Sequence, residues 1–516
     1  MPLPSSTVTV ESLRAEISDY VSERFDGFVP NPQNSNHHAD GKVIRDPIHG
    51  FHHLKAWEVE VVDSPLLQRL RSIHQNGLVF LVYPSANHSR FEHSLGVAKV
   101  IQDVVGELNT PGLFSETTVG ELRLAALLHD SGHGIFSHLS ETLIYERWYD
   151  NFQPIRQIAP FQGKTVGEIV SYLLVTSPRF RAFLEDINSR YNQNFNVDRI
   201  AGLIVGNVQN PTMEAYQRDL ITGPLDADKL DYIARDSCFT GIRAEVDVPQ
   251  IIRSMKVWDR SGSRFPRSLV VKVQGVSFIE QMHFARLLLY PAMYHHQKVR
   301  AIECMVRGIF DTIWAAPDEI REPVLKFSRI TDFLRLTEGE FLALASREPL
   351  IRQQIEKLQN RTLFRRALQV SASLIRGEVE STRYSDLVGL GKFTPEASAR
   401  LNEIRKTIYD LIPAAAKTDR TLNDIWVDVP DQPSAKDMEL CKVDTGESEP
   451  VPLDTLFPLA SWLKGYAENK WTAHVYGYPD EAFLTSLNRA TTEYFNSEYS
   501  LTFQDRATTE CKLTLR

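Results

Sequence analysis

Three features of this sequence predict a mainly α protein, a helical core followed by a small α+β C-terminal lobe. Apolar residues recur at helical spacing from 42 to about 325 and again over 326–412. β-prone pieces are short, and the clearest of them, 425–430 (IWVDVP) and 438–444 (MELCKVD), fall late in the chain. Fourteen of the fifteen histidines lie between His37 and His296, leaving only His474 beyond, as expected of a catalytic module followed by a supporting part.

Taken in order, 8–27 reads as one amphipathic helix, followed by a Pro/Asn-rich linker (28–41) in which His37 and His38 are solvated rather than ligating. Helical periods follow at 64–75, 90–108, 120–130, 135–149, 165–176, 212–220, 226–236, 275–290 and 292–315. Val43-Ile44, Phe80–Val82 and 268–273 (SLVVKV) are the β-prone interruptions. A polar loop over 431–440 separates the two late strands, and two helices near 454–468 and 479–496 close the pattern. The expected units are 1–41, a core over 42–325, a C-terminal lobe over 326–500 and a tail over 501–516.

Composition excludes several classes. No apolar stretch approaches the roughly 20 residues that span a bilayer, and the first residues do not read as a signal peptide. Cys238, Cys304, Cys441 and Cys511 lack the spacing of a zinc knuckle or disulfide framework, so a reducing cytosol is expected. A net charge of −9 gives no indication of nucleic-acid binding, yet it is compatible with one basic pocket for a triphosphate.

The chemistry concentrates at His129-Asp130, which ends the apolar run LRLAALLHDSGHG. One imidazole and one carboxylate make half a coordination sphere for a divalent transition metal, and His133 follows four residues on. Gly132 is expected to turn the backbone sharply after the pair. His93 opens a helix on which it can face inward, and 226–236 is a second dense polar cluster at helical spacing.

The order His93, His129-Asp130, Asp228 resembles the HD metal-dependent phosphohydrolases. Within them the chain is most similar to the deoxynucleoside triphosphate triphosphohydrolases, in particular the animal branch with SAM and HD domains. Asp46-Pro47-Ile48-His49-Gly50, Arg90-Phe91-Glu92-His93-Ser94, His129-Asp130-x-Gly132-His133-Gly134, Phe136-Ser137-His138, Asp228-Lys229-x-Asp231-Tyr232 and Ala234-Arg235-Asp236 carry the likeness. It is strong over 41–305 and traceable to about 495, and nothing in the first 40 residues resembles a SAM domain.

The resemblance implies that His93, His129, Asp130 and Asp228 hold one divalent metal per chain, drawn from Fe, Mn, Zn, Co or Mg. The mixed nitrogen and oxygen set suits the first four better than magnesium. It further implies that Arg90, Lys229 and Arg286 grip a triphosphate, that Gln75, Tyr232, Asp236 and Tyr294 hold the sugar, and that His133 and His138 are catalytic beside an orienting Glu141. The expected activity is hydrolysis of (d)NTP to nucleoside and tripolyphosphate by a homo-oligomer, dimer or tetramer, under an activating nucleotide read by Asp63 and Arg71. Three departures stand out. Val166-Gly167 replaces a His-Glu pair, with Glu168 one position on; Asn76 replaces an apolar residue near the sugar 2′ position; and Arg45 replaces an Asn in the activator segment. Two alternatives follow, a nucleotide sensor with weakened catalysis and an HD phosphodiesterase or nuclease.

Overall fold

The computed structural model describes residues 9–30, 41–108, 110–207, 213–259, 267–375, 381–392, 394–431, 440–446, 449–456 and 458–504. The expectations for His37, His38, Cys511, most of the 431–440 loop and the end of the tail lie outside these residues. Among the described residues no helix is long and apolar enough to cross a membrane.

The first helix, Val10–Arg24, starts where the Thr9 hydroxyl accepts from Ser12 N, satisfying an end amide that the helix cannot pair itself. Leu13, Ile17, Tyr20 and Val21 form its buried stripe, and Tyr20 Oη donates to Leu334 O at 3.0 Å. Strands β1 (Lys42–Asp46) and β2 (Gly50–Leu54) form an antiparallel hairpin. Its turn is closed by Asp46 Oδ1, which accepts from Ile48 N and His49 N at 2.7 and 2.9 Å.

Helices Arg90–Glu107, Glu116–Leu128 and Ala227–Thr240 pack together as the centre of the core. Leu122, Leu124, Leu127 and Leu128 are fully buried, so the helix that ends at His129 is fixed on its neighbours by apolar surface before any polar group is counted. This main core draws on residues from Leu13 to Phe364 and also takes in Cys441, Val443, Leu453 and Tyr476. A second core lies between β5 (Arg365–Val370), β9 (Ala473–Gly477), β6 (Ile425–Asp428) and the helices Pro395–Leu411 and Glu481–Tyr499. β9 is the central strand, antiparallel to both neighbours. A separate sheet orders β3 (Met255–Trp258), β4 (Ser268–Lys272), β7 (Lys442–Asp444) and β8 (Val451–Pro452), with β4 and β7 parallel.

The mainly helical core with its smaller mixed lobe agrees with the sequence prediction; several elements within it do not. Phe80–Val82 is no strand, because Gly77–Leu81 is a 3-10 turn entered through Gly77 at φ +52. The expected 64–75 helix stops at Arg69 and tightens to 3-10 over Leu70–Ser72. β5 interrupts the expected helical stretch 326–412, and β9 was not expected at all. Buried at all five positions, β9 shows no polar/apolar alternation. The chain between the helices Val276–Leu289 and Gln297–Ala315 forms a π turn over Tyr290–Tyr294.

Candidate active site

Ser89 caps the helix that carries His93, Asp226 caps the one that carries Asp228, and His129 is the residue on which the Leu128 helix closes. These three helix ends meet. His93 Nε2 lies 3.0 Å from Asp228 Oδ1 and 3.6 Å from Asp130 Oδ2, while His129 Nε2 lies 3.4 Å from Asp130 Oδ1 and 3.9 Å from Asp228 Oδ1. His93, His129 and Asp228 present ligand atoms within 4.8 Å of one another. Asp130 borders the group while also accepting from Arg90 Nη1.

A divalent metal fits this arrangement on its own geometry. His129 Nδ1 donates to Ala126 O at 2.8 Å and His93 Nδ1 to Asp231 Oδ2 at 2.7 Å, which fixes both tautomers with the Nε2 lone pairs facing the cluster. Both Nε2 atoms are buried without a hydrogen-bond partner. The carboxylates concentrate negative potential here. Burial lowers the His93 pKa, but Asp228 and Asp231 outweigh it and raise it to about 10. Asp228, against burial, is held down to about 2 by His93 and His129. A divalent cation answers the same demand for positive charge.

The turn after His129-Asp130 corrects the sequence reading. Neither Gly132 nor Gly134 has positive φ; Phe136 (φ 62) and Ser137 (φ 53) do. Gly132 is needed for close approach, since a Cβ there would overlap Gly167 O and Ser171 N. The left-handed pair is held from outside. Ser137 Oγ accepts from Arg90 Nε at 2.8 Å, Phe136 N donates to Glu338 Oε1 at 3.1 Å, and Ile135 N donates to Phe333 O at 3.2 Å. The turn brings the helix His138–Arg147 back onto the motif. Glu141 Oε2 accepts from His138 Nδ1 at 2.9 Å and lies 3.8 Å from His133 Nδ1, while Glu141 Oε1 accepts from Gly167 N at 2.7 Å.

This last contact shows what stands in place of the missing pair. Gly167 offers a backbone N–H at the start of the helix Val166–Val175, and a side chain there would reach 2.5 Å from Glu141 Oε1. Glu168 lines the same cavity as Glu141, its carboxylate accepting from Thr165 N and pairing with Lys164. Burial raises the Glu141 carboxyl, but His133 and His138 bring it down to about 2. Burial and Arg90 lower the His133 pKa.

One cavity of about 710 Å³ is lined by His129, Asp130, Asp228, His133, His138 and Glu141, together with Arg90, Lys229, Arg286, Gln75, Asn76, Tyr232, Asp236 and Tyr294. Lys229 Nζ is held by Gly223 O at 3.0 Å and Asp226 Oδ2 at 2.6 Å. Asp236 accepts from Asn76 Nδ2 (2.7 Å), His88 Nε2 (3.0 Å) and Tyr294 Oη. Burial raises the Tyr232 phenol to about 12. Asp63, Arg71 and Arg45 do not line this cavity. Asp63 pairs with Lys42 at 3.7 Å, Arg71 lies over the Phe91 ring at 3.7 Å, and Arg45 is exposed beside Phe51. A smaller cavity of about 400 Å³ gathers Lys298, Arg361 and Arg365. Sequence reasoning assigned no role to His88, Ser137, His49 or Asp231. His49 and Asp231 sit inside quoted motifs, but their partners are far off in the chain.

Two family models match: the HD domain over residues 90–178 and an HD associated region over 246–502. An uncharacterized protein of Methanocaldococcus jannaschii is 30% identical over 317 residues, 61% of this chain and 59% of its own length. The deoxynucleoside triphosphate triphosphohydrolase SAMHD1 homolog of Dictyostelium discoideum is 26% identical over 367 residues, 68% of this chain and 65% of its own. The chain thus spans less than two thirds of these relatives. Among solved structures, a phosphohydrolase from Bacteroides thetaiotaomicron superposes with a TM-score of 0.60 at 22% identity, covering 85% of this chain and 99% of that one, which is a likeness of fold. The matched HD segment begins at Arg90 and holds the His129-Asp130 pair, so the chain carries an HD domain followed by an HD associated region.

Proposed function

We propose that the protein hydrolyses (deoxy)nucleoside triphosphates to nucleoside and tripolyphosphate. The observation that carries this reading is the shared cavity: His129, Asp130 and Asp228 of the candidate metal cluster, three cationic side chains and a sugar-sized polar network line one space. Relatives named as deoxynucleoside triphosphate triphosphohydrolases supply the substrate class. His93, His129, Asp130 and Asp228 would hold a divalent metal, which would supply Lewis acidity and a more acidic water. Arg90, Lys229 and Arg286 neutralise the triphosphate, and the tethers on Lys229 hold its charge in place before substrate arrives. Glu141 orients His133 and His138. His138 spends Nδ1 on Glu141 and keeps its other nitrogen for the leaving oxygen. Asp236, with Asn76 and Tyr294, holds the sugar.

Regulation belongs to the same reading. Asp63, Arg71 and Arg45 are the surface residues we assign to an activating nucleotide between subunits, and the cationic cavity at Lys298, Arg361 and Arg365 suits phosphates outside the active site. The rival reading, a nucleotide sensor with weak catalysis, rests on Val166-Gly167 replacing the family pair. Incubation with Mn²⁺ and each dNTP, with products resolved by ³¹P NMR, decides between them. Tripolyphosphate supports the proposal, pyrophosphate moves the chain to another hydrolase class, and no turnover supports the sensor.

A further inference from the structure

Behind His93 lies a buried chain of charges that no step of the proposed reaction uses. Asp231 Oδ2 accepts from His93 Nδ1 at 2.7 Å, and Asp231 Oδ1 accepts from His49 Nε2 at 2.8 Å. Arg235 grips both oxygens, each at 2.8 Å, so the four acceptor positions of the carboxylate are filled. Arg235 is held in turn by Asp46 Oδ2 at 2.9 Å, and the other oxygen of Asp46 closes the hairpin turn that carries His49. Asp231 and Arg235 are fully buried. Space has been kept for them: a Cβ on Gly96, one turn along the helix of His93, would overlap both side chains. Neither Asp231 nor His49 lines the main cavity; His49 borders a different one, beside Asp103 and Arg253.

We propose that His49 is a positioning residue for the metal, acting through Asp231 to hold the His93 ring with Nε2 toward the cluster. The inference rests on the metal reading of the site. A carboxylate behind a ligating imidazole sets ring orientation and basicity. Here its own orientation is set by a histidine from the β1–β2 turn. Without that donor, Asp231 Oδ1 keeps only Arg235, and the carboxylate can shift with the arginine, taking the His93 ring with it. His49 is the link whose removal tests this without stranding a buried charge, whereas loss of Arg235 would leave two carboxylates uncompensated.

The test is Mn²⁺ affinity of chelator-treated full-length protein, read from the EPR signal of the free ion. His49→Leu should weaken binding by roughly 10–100-fold, the usual effect of losing an outer-shell partner. His49→Gln, which keeps an N–H donor, should stay close to wild type. His52→Phe should leave affinity unchanged, because His52 is buried in the same hairpin with neither ring nitrogen hydrogen-bonded. Should His49→Leu not fold, His49→Asn takes its place, since its shorter amide falls short of Asp231. A folded His49→Leu protein that binds Mn²⁺ like wild type overturns the inference, as does an equal loss in His52→Phe, which would mean that hairpin packing alone matters. Wild type that binds no divalent metal at all overturns the metal reading itself, and the inference with it.

Discussion

His93 in the helical core and His474 on β9 are both buried, yet their surroundings drive them in opposite directions. His93 faces the carboxylates of Asp228, Asp231 and Asp130, which outweigh burial and raise it to about 10. His474 also faces an aspartate, Asp428, paired with it across the strands. That aspartate is already taken: Arg300 binds both its oxygens, at 2.6 and 3.0 Å. Burial and the nearby arginines then push His474 down to about 3. Burial alone therefore does not decide the charge of a histidine. What decides it is the local balance of charge. Three carboxylates and two guanidinium groups, Arg90 and Arg235, surround His93 and leave an excess of negative charge. Beside His474 the single carboxylate of Asp428 faces Arg300 and Arg366.

The largest effect should come from emptying that excess. The double substitution of His129→Ala and Asp130→Ala should reduce bound metal from about one equivalent to none, and hydrolysis to background, with the fold retained. Metal analysis and a thermal melt check this, and full activity in the metal-free variant would refute the assignment. In the other region the prediction concerns stability. Unfolded His474 takes a proton below its ordinary 6.5, but in the folded lobe only near 3. Stability should thus be complete above pH 6.5 and fall on acidification toward 3, by at most about 5 kcal/mol. Melts across this range should show the slope, and His474→Phe should flatten it. A slope that survives the substitution would assign it to other groups.

Gly167→Ala sharpens the comparison from the catalytic side. The added methyl meets Glu141 Oε1 and the His133 ring, and a displacement of this kind costs about 10²-fold in turnover. Metal content should not change, which separates orientation from ligation. The smallest effect is expected at Asn76. Its amide donates to Asp236, and Asn76→Leu removes the group able to meet a 2′-hydroxyl. Preference for deoxyribose should rise by ~1–3 kcal/mol in relative kcat/KM. A wild type that already rejects ATP and GTP as strongly as the variant would refute this role.

Much of the core was legible in the sequence because its helices are amphipathic and its metal-site motifs are short and local. His129-Asp130 sits at the end of an apolar run, and His93 and Asp228 sit in the first turns of capped helices. What stayed hidden depends on distant partners. β9 is covered on both faces and shows no period. Phe136 and Ser137 accept left-handed backbone only because Arg90 and Glu338 hold them. Gly132 was read as a turn glycine, whereas the reason for it is the backbone of another helix, Val166–Val175. His49 carries no local sign that its partner is Asp231.

The segment around 331–341 gives the turn at Phe136 and Ser137 a further property. Phe333 O and Glu338 hold the chain at Ile135 and Phe136, Glu338 also bonds His74, and the same segment is fastened to the first helix by Tyr20 on Leu334 O and Glu16 on Thr331 N. The stretch that matches as an HD domain, 90–178, is consequently not portable. Excised or grafted onto another scaffold, it would leave behind the two remote segments that hold its left-handed turn. The turn would relax, and His138 and Glu141 would swing away from His133. Keeping this arrangement requires the clasp as well as the motif.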